Sequence, residues 1–126
     1  MRSQGARAIA IIALALVAAA CGGAKEPPPT VAGAETIEVQ AAEYTFLPEE
    51  IVVAAGEPVN IKLTNVGGEG HNLTIPDLEF ELSADPGQGV TGGLTAAAPG
   101  EYNSLCTVSG HADDGMVGTL VVEQAP

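Results

Sequence analysis

The stretch EYNSLCTVSGHADDGMVGTLVVE, residues 101–123, sets two strand-like segments on either side of a loop that begins at Cys106 and ends at Met116. His111 stands midway in this loop, and the only other histidine of the chain is His71. A cysteine thiolate, two imidazoles and a weakly bound methionine thioether are the donor set of a blue-copper electron-transfer site. The sequence therefore predicts one mononuclear copper site whose ligands are His71, Cys106, His111 and Met116.

Each donor also has an ordinary explanation when it is taken alone. A cysteine or a methionine beside a strand is often just a buried apolar side chain, and a cysteine together with histidines also suits zinc. The combination favours a metal site. Both histidines, the only cysteine after residue 21 and the only methionine after Met1 fall in the required arrangement.

Residues 1–20 have the composition of a secretory signal peptide. Arg2 and Arg7 precede an apolar run of about 13 residues that ends in three alanines directly before Cys21. A membrane-spanning helix needs ~20 apolar residues, so this run is too short to be one. Small residues followed by a cysteine resemble the lipobox of bacterial lipoproteins, in which that cysteine is acylated and becomes the N-terminus. We therefore expect Cys21 to be lipidated, with an ordinary signal peptide and an unmodified Cys21 as the alternative.

Residues 21–34 form a predicted flexible linker. They show no apolar periodicity and contain three consecutive prolines that begin at Pro27. Such a composition cannot bury enough apolar surface to fold. An extended chain spans ~3.3 Å per residue, so the thirteen residues after Cys21 would reach roughly 40 Å at most as a free tether. The rest of the chain, residues 35–126, is predicted to be a single domain.

Short alternating segments separated by Gly and Pro dominate residues 35–126. Apolar residues alternate with polar ones over 36–41, 59–64 and 72–75. This pattern predicts an all-β fold, an antiparallel Greek-key sandwich or barrel. Loops cluster at the two ends of such a sandwich. The glycine-rich turn at 65–70, which precedes His71, can therefore lie beside the loop at 106–116.

Two longer patterns resemble the cupredoxins, the blue-copper family of plastocyanin, azurin and auracyanin. The apolar, Pro and Gly positions of 46–65 look like the early strand pair of that family, and 99–120 looks like its ligand loop with the flanking strands. The resemblance implies a Greek-key sandwich that holds one type 1 copper ion. It further implies that Asn72 forms hydrogen bonds to the ligand loop and that His111 exposes its ring edge to a partner within an apolar patch. Candidates for that patch are Ala112, Met116, Val117 and Leu94.

Charge restricts the possible partners. The chain has a formal net charge of −12, and every acidic residue except Glu26 lies in 35–126, where Lys62 is the only lysine or arginine. Such a surface repels nucleic acid and anionic lipid. Asp113 and Asp114 lie between two predicted ligands, where they would attract a basic redox partner such as a c-type cytochrome or a membrane redox complex. We expect a monomer with no nucleic-acid partner.

The prediction from sequence is a membrane-tethered blue-copper electron carrier outside the cytoplasm, and not an enzyme. Two alternatives use the same donors: a copper-binding or copper-delivery lipoprotein, and a small type 2 copper enzyme with an open coordination position. A zinc-binding module is a third. The thioether of Met116 favours the carrier, because an axial ligand helps to close the coordination sphere.

Overall fold

The computed structural model describes residues 25–126, so the predicted signal peptide at 1–20 and the predicted lipidation site Cys21 lie outside the described residues. The described part of the chain is all-β, with nine strands and one short 3-10 turn at Pro76–Leu78. No helix within it is long and apolar enough to span a membrane. The strands are β1 Glu35–Ala42, β2 Thr45–Leu47, β3 Glu50–Ala54, β4 Val59–Asn65, β5 His71–Ile75, β6 Phe80–Ala84, β7 Gly89–Leu94, β8 Gly100–Leu105 and β9 Val117–Glu123.

The strands form two sheets that pack face to face. The four-stranded sheet has the order β2-β1-β4-β7, and the five-stranded sheet has the order β3-β9-β8-β5-β6. The all-β Greek-key sandwich predicted from the sequence is confirmed. The prediction that the strands are antiparallel was wrong for two strand pairs. Strand β1 pairs with β4, and β3 pairs with β9, in the parallel direction. Alternation of side chains is the same in both directions, so the sequence pattern could not distinguish them.

Apolar side chains that alternate along the strands fill the space between the sheets. Ile61 and Leu63 of β4 face Leu73 of β5 and Leu120 of β9 across this core, and all four are at most 1% exposed. Burial of each such side chain contributes about 1.5–3 kcal/mol relative to exposure in water. The core holds the strand ends in place, so the loops that leave these ends have fixed starting points.

One end of the sandwich, here called the donor pole, is formed by the loops at 43–44, 66–70 and 106–116. The parallel register of β1 with β4, in which Ala41 is opposite Asn65, brings the first two of these loops side by side. The opposite end, called the far pole, is marked by the pairing of Leu94 at the end of β7 with Val59 at the start of β4.

The predicted linker is partly docked on the domain. The backbone N–H of Val31 donates to Asn60 Oδ1 (2.8 Å), and Asn60 Nδ2 donates to the Val31 carbonyl (2.9 Å). The Gly93 N–H on edge strand β7 donates to the carbonyls of Pro28 (3.3 Å) and Pro29 (3.2 Å). A proline has no N–H but keeps its carbonyl, so it can accept from an unpaired strand edge. The contacts of the domain therefore begin before residue 35. Residues 28–31 are docked on the sheet and are not part of a free tether.

Candidate metal centre

Three predicted donor atoms meet inside the donor pole. The ligand atoms of His71, Cys106 and His111 all lie within 4.8 Å of one another. His71 Nδ1 is 3.2 Å from His111 Nδ1, which in turn is 3.5 Å from Cys106 Sγ. All three residues are buried. Atoms that share one ion through bonds of ~2.0–2.3 Å lie roughly 3–4 Å apart, so these spacings fit a single metal ion.

The strand ends and the loop between β8 and β9 position these side chains. His71 is the first residue of β5, and Cys106 directly follows β8. The loop is closed by its own backbone, because the Cys106 N–H donates to the Met116 carbonyl and the Met116 N–H donates to the His111 carbonyl, both at 3.0 Å. Gly115 has a φ of 107°, in the region that other residues avoid. Met116 is thereby turned inward, and it is fully buried.

The turn before His71 is organised by the buried side chain of Asn65. Its Oδ1 accepts from the Gly67 N–H (2.9 Å), and its Nδ2 donates to the carbonyls of Glu69 (2.6 Å) and Ala84 (2.9 Å). These bonds connect the 66–70 loop to the end of β6. Because β6 pairs with β5 so that His71 is opposite Ala84, the same contacts fix where the histidine enters the site.

Asn72 connects β5 to the ligand loop. Its Nδ2 donates to Thr107 Oγ1 (2.9 Å), and its Oδ1 accepts from the Thr107 N–H (2.9 Å) and from the Thr74 hydroxyl (2.9 Å). Its own backbone N–H points at Cys106 Sγ, 3.5 Å away. Donors of this kind stabilise a thiolate and hold it in position.

Comparison with known proteins agrees with this geometry. A family model described as a cupredoxin-like domain matches residues 8–122. The chain belongs to the cupredoxin-like family. The resemblance predicted from the sequence motifs is thereby confirmed. No curated protein matches the sequence significantly.

Solved structures similar to this cupredoxin include two auracyanins. One is dithionite-reduced auracyanin from the photosynthetic bacterium Roseiflexus castenholzii, with 25% identity and a TM-score of 0.62 over 75% of this chain and 100% of that chain. Another is auracyanin A, a "blue" copper protein from the green thermophilic photosynthetic bacterium Chloroflexus aurantiacus, with 27% identity and a TM-score of 0.61 over 72% and 100%. A chain of a heme-copper terminal oxidase dimer shares the fold, with 23% identity and a TM-score of 0.59 over 78% and 71%.

In this cupredoxin, His71, Cys106, His111 and Met116 are arranged as a type 1 copper site, and the cofactor is one copper ion. The donor chemistry fits, because copper with two imidazoles and a thiolate forms a trigonal site to which a thioether adds a weak axial ligand. The orientation of the rings fits too. Each Nδ1 points into the cluster, whereas each Nε2 faces a carboxylate.

Those carboxylates belong to residues that sequence reasoning missed. Glu43 Oε1 lies 3.3 Å from His71 Nε2, and Glu69 Oε2 lies 3.5 Å from His111 Nε2. The Tyr44 ring packs edge-on against the His111 ring, with centroids 5.4 Å apart and an interplanar angle of 82°. No local motif marks these contacts, because Glu43 and Tyr44 reach the site from the turn between β1 and β2, and Glu69 reaches His111 from the loop before β5.

The surface around His111 differs in part from the predicted one. Asp113 and Asp114 are exposed on the loop, and Val117 is exposed at the start of β9, while Met116 is buried and Ala112 is half-buried. Leu94 was wrongly assigned to the patch. It is 6% exposed and lies at the far pole, because its register in β7 places it opposite Val59. The exposed large apolar side chains that do lie at the donor pole are Tyr44, Val66, Val108 and Val117.

Proposed function

We propose that this cupredoxin is a blue-copper electron carrier whose copper ligands are His71, Cys106, His111 and Met116. The observation that carries the proposal is the convergence of three donor atoms within 4.8 Å inside a buried pole of a cupredoxin-like sandwich. Copper bound there would supply reversible one-electron exchange between Cu(II) and Cu(I). Cys106 would hold the ion through its thiolate, and the buried side chain of Met116 would hold it through its thioether.

Burial of the donors favours a carrier over the alternatives. His71 is 2% exposed and His111 is 7% exposed, while Cys106 and Met116 have no exposure. An enzyme with an open coordination position must admit a substrate to its metal, and a delivery protein must release its metal readily. A buried site is compatible with electron transfer, because the redox partner only has to approach the edge of a ligand ring. We infer that the protein is not an enzyme.

The proposed docking surface is the part of the donor pole around His111. Glu69, Asp113 and Asp114 make its rim acidic, and Tyr44 and Val117 add exposed apolar area. Acidic rims accelerate association with basic partners and add little to the strength of the final complex. The partner class that fits is a basic redox protein, such as a c-type cytochrome, or a membrane redox complex.

We further propose that the protein works outside the cytoplasm, held to the membrane through an acylated Cys21. The support is the sequence of residues 1–21, in which arginines, an apolar run and small residues precede the cysteine. The acidic domain would be repelled by anionic headgroups, so the lipid would provide the membrane attachment. Mass spectrometry of the protein isolated from bacterial membranes would show a diacyl or triacyl mass on Cys21, and an unmodified cysteine would contradict this assignment.

The visible spectrum of the copper-loaded protein tests the function. We expect an intense blue absorption band in the oxidised state that disappears on reduction, because a thiolate bound to Cu(II) produces it. Cys106→Ser should abolish the band and reversible redox activity together. Thr107→Ser, which changes the next residue without removing a predicted ligand, is the matched control and should remain blue. A Cys106→Ser protein that stays blue, or a wild type that binds zinc but not copper, would overturn the proposal.

A further inference from the structure

The tight turn between β1 and β2 contacts both histidines of the copper site. Glu43 places a carboxylate oxygen 3.3 Å from His71 Nε2, and the adjacent Tyr44 packs its ring against His111. Tyr44 has a φ of 64°, a left-handed conformation that is uncommon for a residue other than glycine. Such a conformation persists only where the surrounding structure holds it. The backbone conformation of this turn therefore directs the adjacent side chains of Glu43 and Tyr44 toward two different ligands, His71 and His111.

The Glu43 carboxylate is held in place by the loop that precedes His71. Its Oε1 accepts from the backbone N–H of Gly68 (2.7 Å) and from that of Glu69 (3.0 Å). The loop leaves room for it, because a Cβ at Gly67 would overlap the carboxylate. Successive N–H groups that converge on one oxygen form an anion-binding nest. A carboxylate that accepts two backbone N–H bonds is favoured in its ionised form, so Glu43 presents a negative charge to His71.

An ionised carboxylate can only accept a hydrogen bond, which decides the state of His71. The side chain of His71 is completely buried, and its Nε2 faces Glu43. Nε2 must therefore donate the proton, and Nδ1 presents its lone pair toward Cys106 and His111. A carboxylate behind a ligand histidine fixes the tautomer and ring orientation and makes the imidazole a stronger donor.

We propose that Glu43 is a positioning residue for the copper site, which orients His71 and lowers the reduction potential of the bound copper. The proposal rests on the proposed function and adds to it. Negative charge close to the metal stabilises Cu(II) more than Cu(I), because the interaction grows with the charge on the ion. Glu43 acts through the His71 imidazole, because it contacts Nε2 while Nδ1 faces the other donor atoms. It also joins two parts of the chain that are distant in sequence: the 43–44 turn, and the 66–70 loop with the His71 that directly follows it.

Two pairs of variants separate this role from a general effect of charge or of loop change. Glu43→Gln removes the charge and keeps the size, and Glu57→Gln removes one charge in the turn between β3 and β4, at the far pole. Gly67→Ala displaces the carboxylate without changing any charge. Gly68→Ala is its matched control, because a Cβ at Gly68 meets no atom within 4 Å.

The primary measurement is the reduction potential of each copper-loaded protein. Loss of a carboxylate that is bonded to a metal-ligating histidine weakens metal binding by about 10–100-fold. Because Glu43 is partly exposed to water, we expect its loss to weaken the binding of Cu(II) relative to that of Cu(I) by a factor near the lower end of this range. A tenfold change raises the potential of a one-electron couple by about 59 mV. We expect this increase for Glu43→Gln and an increase of the same sign for Gly67→Ala. Both controls should stay near the wild type.

A second measurement needs no copper. Long-range ¹H–¹⁵N spectra of the metal-free protein should show His71 protonated at Nε2 in the wild type and in Gly68→Ala, and in mixed tautomers in Gly67→Ala and Glu43→Gln. Potentials of Glu43→Gln and Gly67→Ala that match their controls, in proteins that remain blue, would overturn the role of Glu43 and leave the electron-carrier function standing. Absence of the blue band from the wild type would instead overturn the function itself.

Discussion

Replacement of Asn72 by alanine should weaken the link between the two parts of the copper site by a predictable amount. The side chain makes three hydrogen bonds, two with Thr107 and one with Thr74. A hydrogen bond contributes about 0.5–1.5 kcal/mol net. Thr107 is exposed, so water replaces its lost partner and the cost stays near the lower half of the sum. We expect Asn72→Ala to lower the free energy of unfolding by about 2–3 kcal/mol.

Urea denaturation of the metal-free protein measures this loss directly, since the midpoint shifts while the slope stays constant. Thr74→Val is the matched control, because it keeps the shape and removes only one of the three bonds, at a cost of about 1 kcal/mol. The N–H that points at Cys106 Sγ is backbone and survives the Asn72→Ala change. A shift of the blue band would therefore report a displaced loop. An Asn72→Ala protein no less stable than Thr74→Val would refute the reasoning.

Three other changes probe the ligand set, the rim and the docked linker. Met116→Gln should keep copper and lower its reduction potential in voltammetry, because the soft thioether favours Cu(I); an unchanged potential would remove Met116 from the ligand set. The double change Asp113→Asn with Asp114→Asn should slow stopped-flow reduction by a basic cytochrome at low salt only, because salt screens exposed charges within about 8 Å at physiological ionic strength. Equal rates at low salt would contradict an acidic docking rim. Asn60→Ala should expose the backbone around Val31 to amide exchange and proteolysis, and unchanged protection would show that the strand edge alone holds the linker.

The ligand loop could be predicted from the sequence because it is local. Cys106, His111 and Met116 lie within one segment between two strands, so their spacing alone suggests the donor set. His71 lies in a distant segment. It entered the prediction as the only other histidine, after a glycine-rich turn, and through the family resemblance. The β-sandwich itself followed from period-two alternation, which reports buried faces reliably.

What could not be predicted depends on register and on contacts between distant turns. Leu94 was misplaced because alternation shows which face a residue occupies but not which end of the sheet it reaches. Glu43 is one of many acidic residues in the chain, and only the parallel pairing of β1 with β4 brings it beside the loop before His71. Docking of the linker was missed because Pro28 and Pro29 contribute carbonyls, and linker composition carries no signal for acceptors.

The docked linker also determines from which end of the domain the N-terminal segment departs. Strand β1 begins at the far pole, where Glu35 is opposite Val59. The preceding residues run back along β7, and 25–27 line a groove together with His71. The described chain therefore begins beside His71, at the donor pole. If Cys21 carries the proposed lipid, the three residues between it and Lys25 allow a separation of at most roughly 14 Å between these two positions. The donor pole of a protein anchored in this way would lie close to the membrane surface, and lateral diffusion in two dimensions would bring it to embedded redox partners.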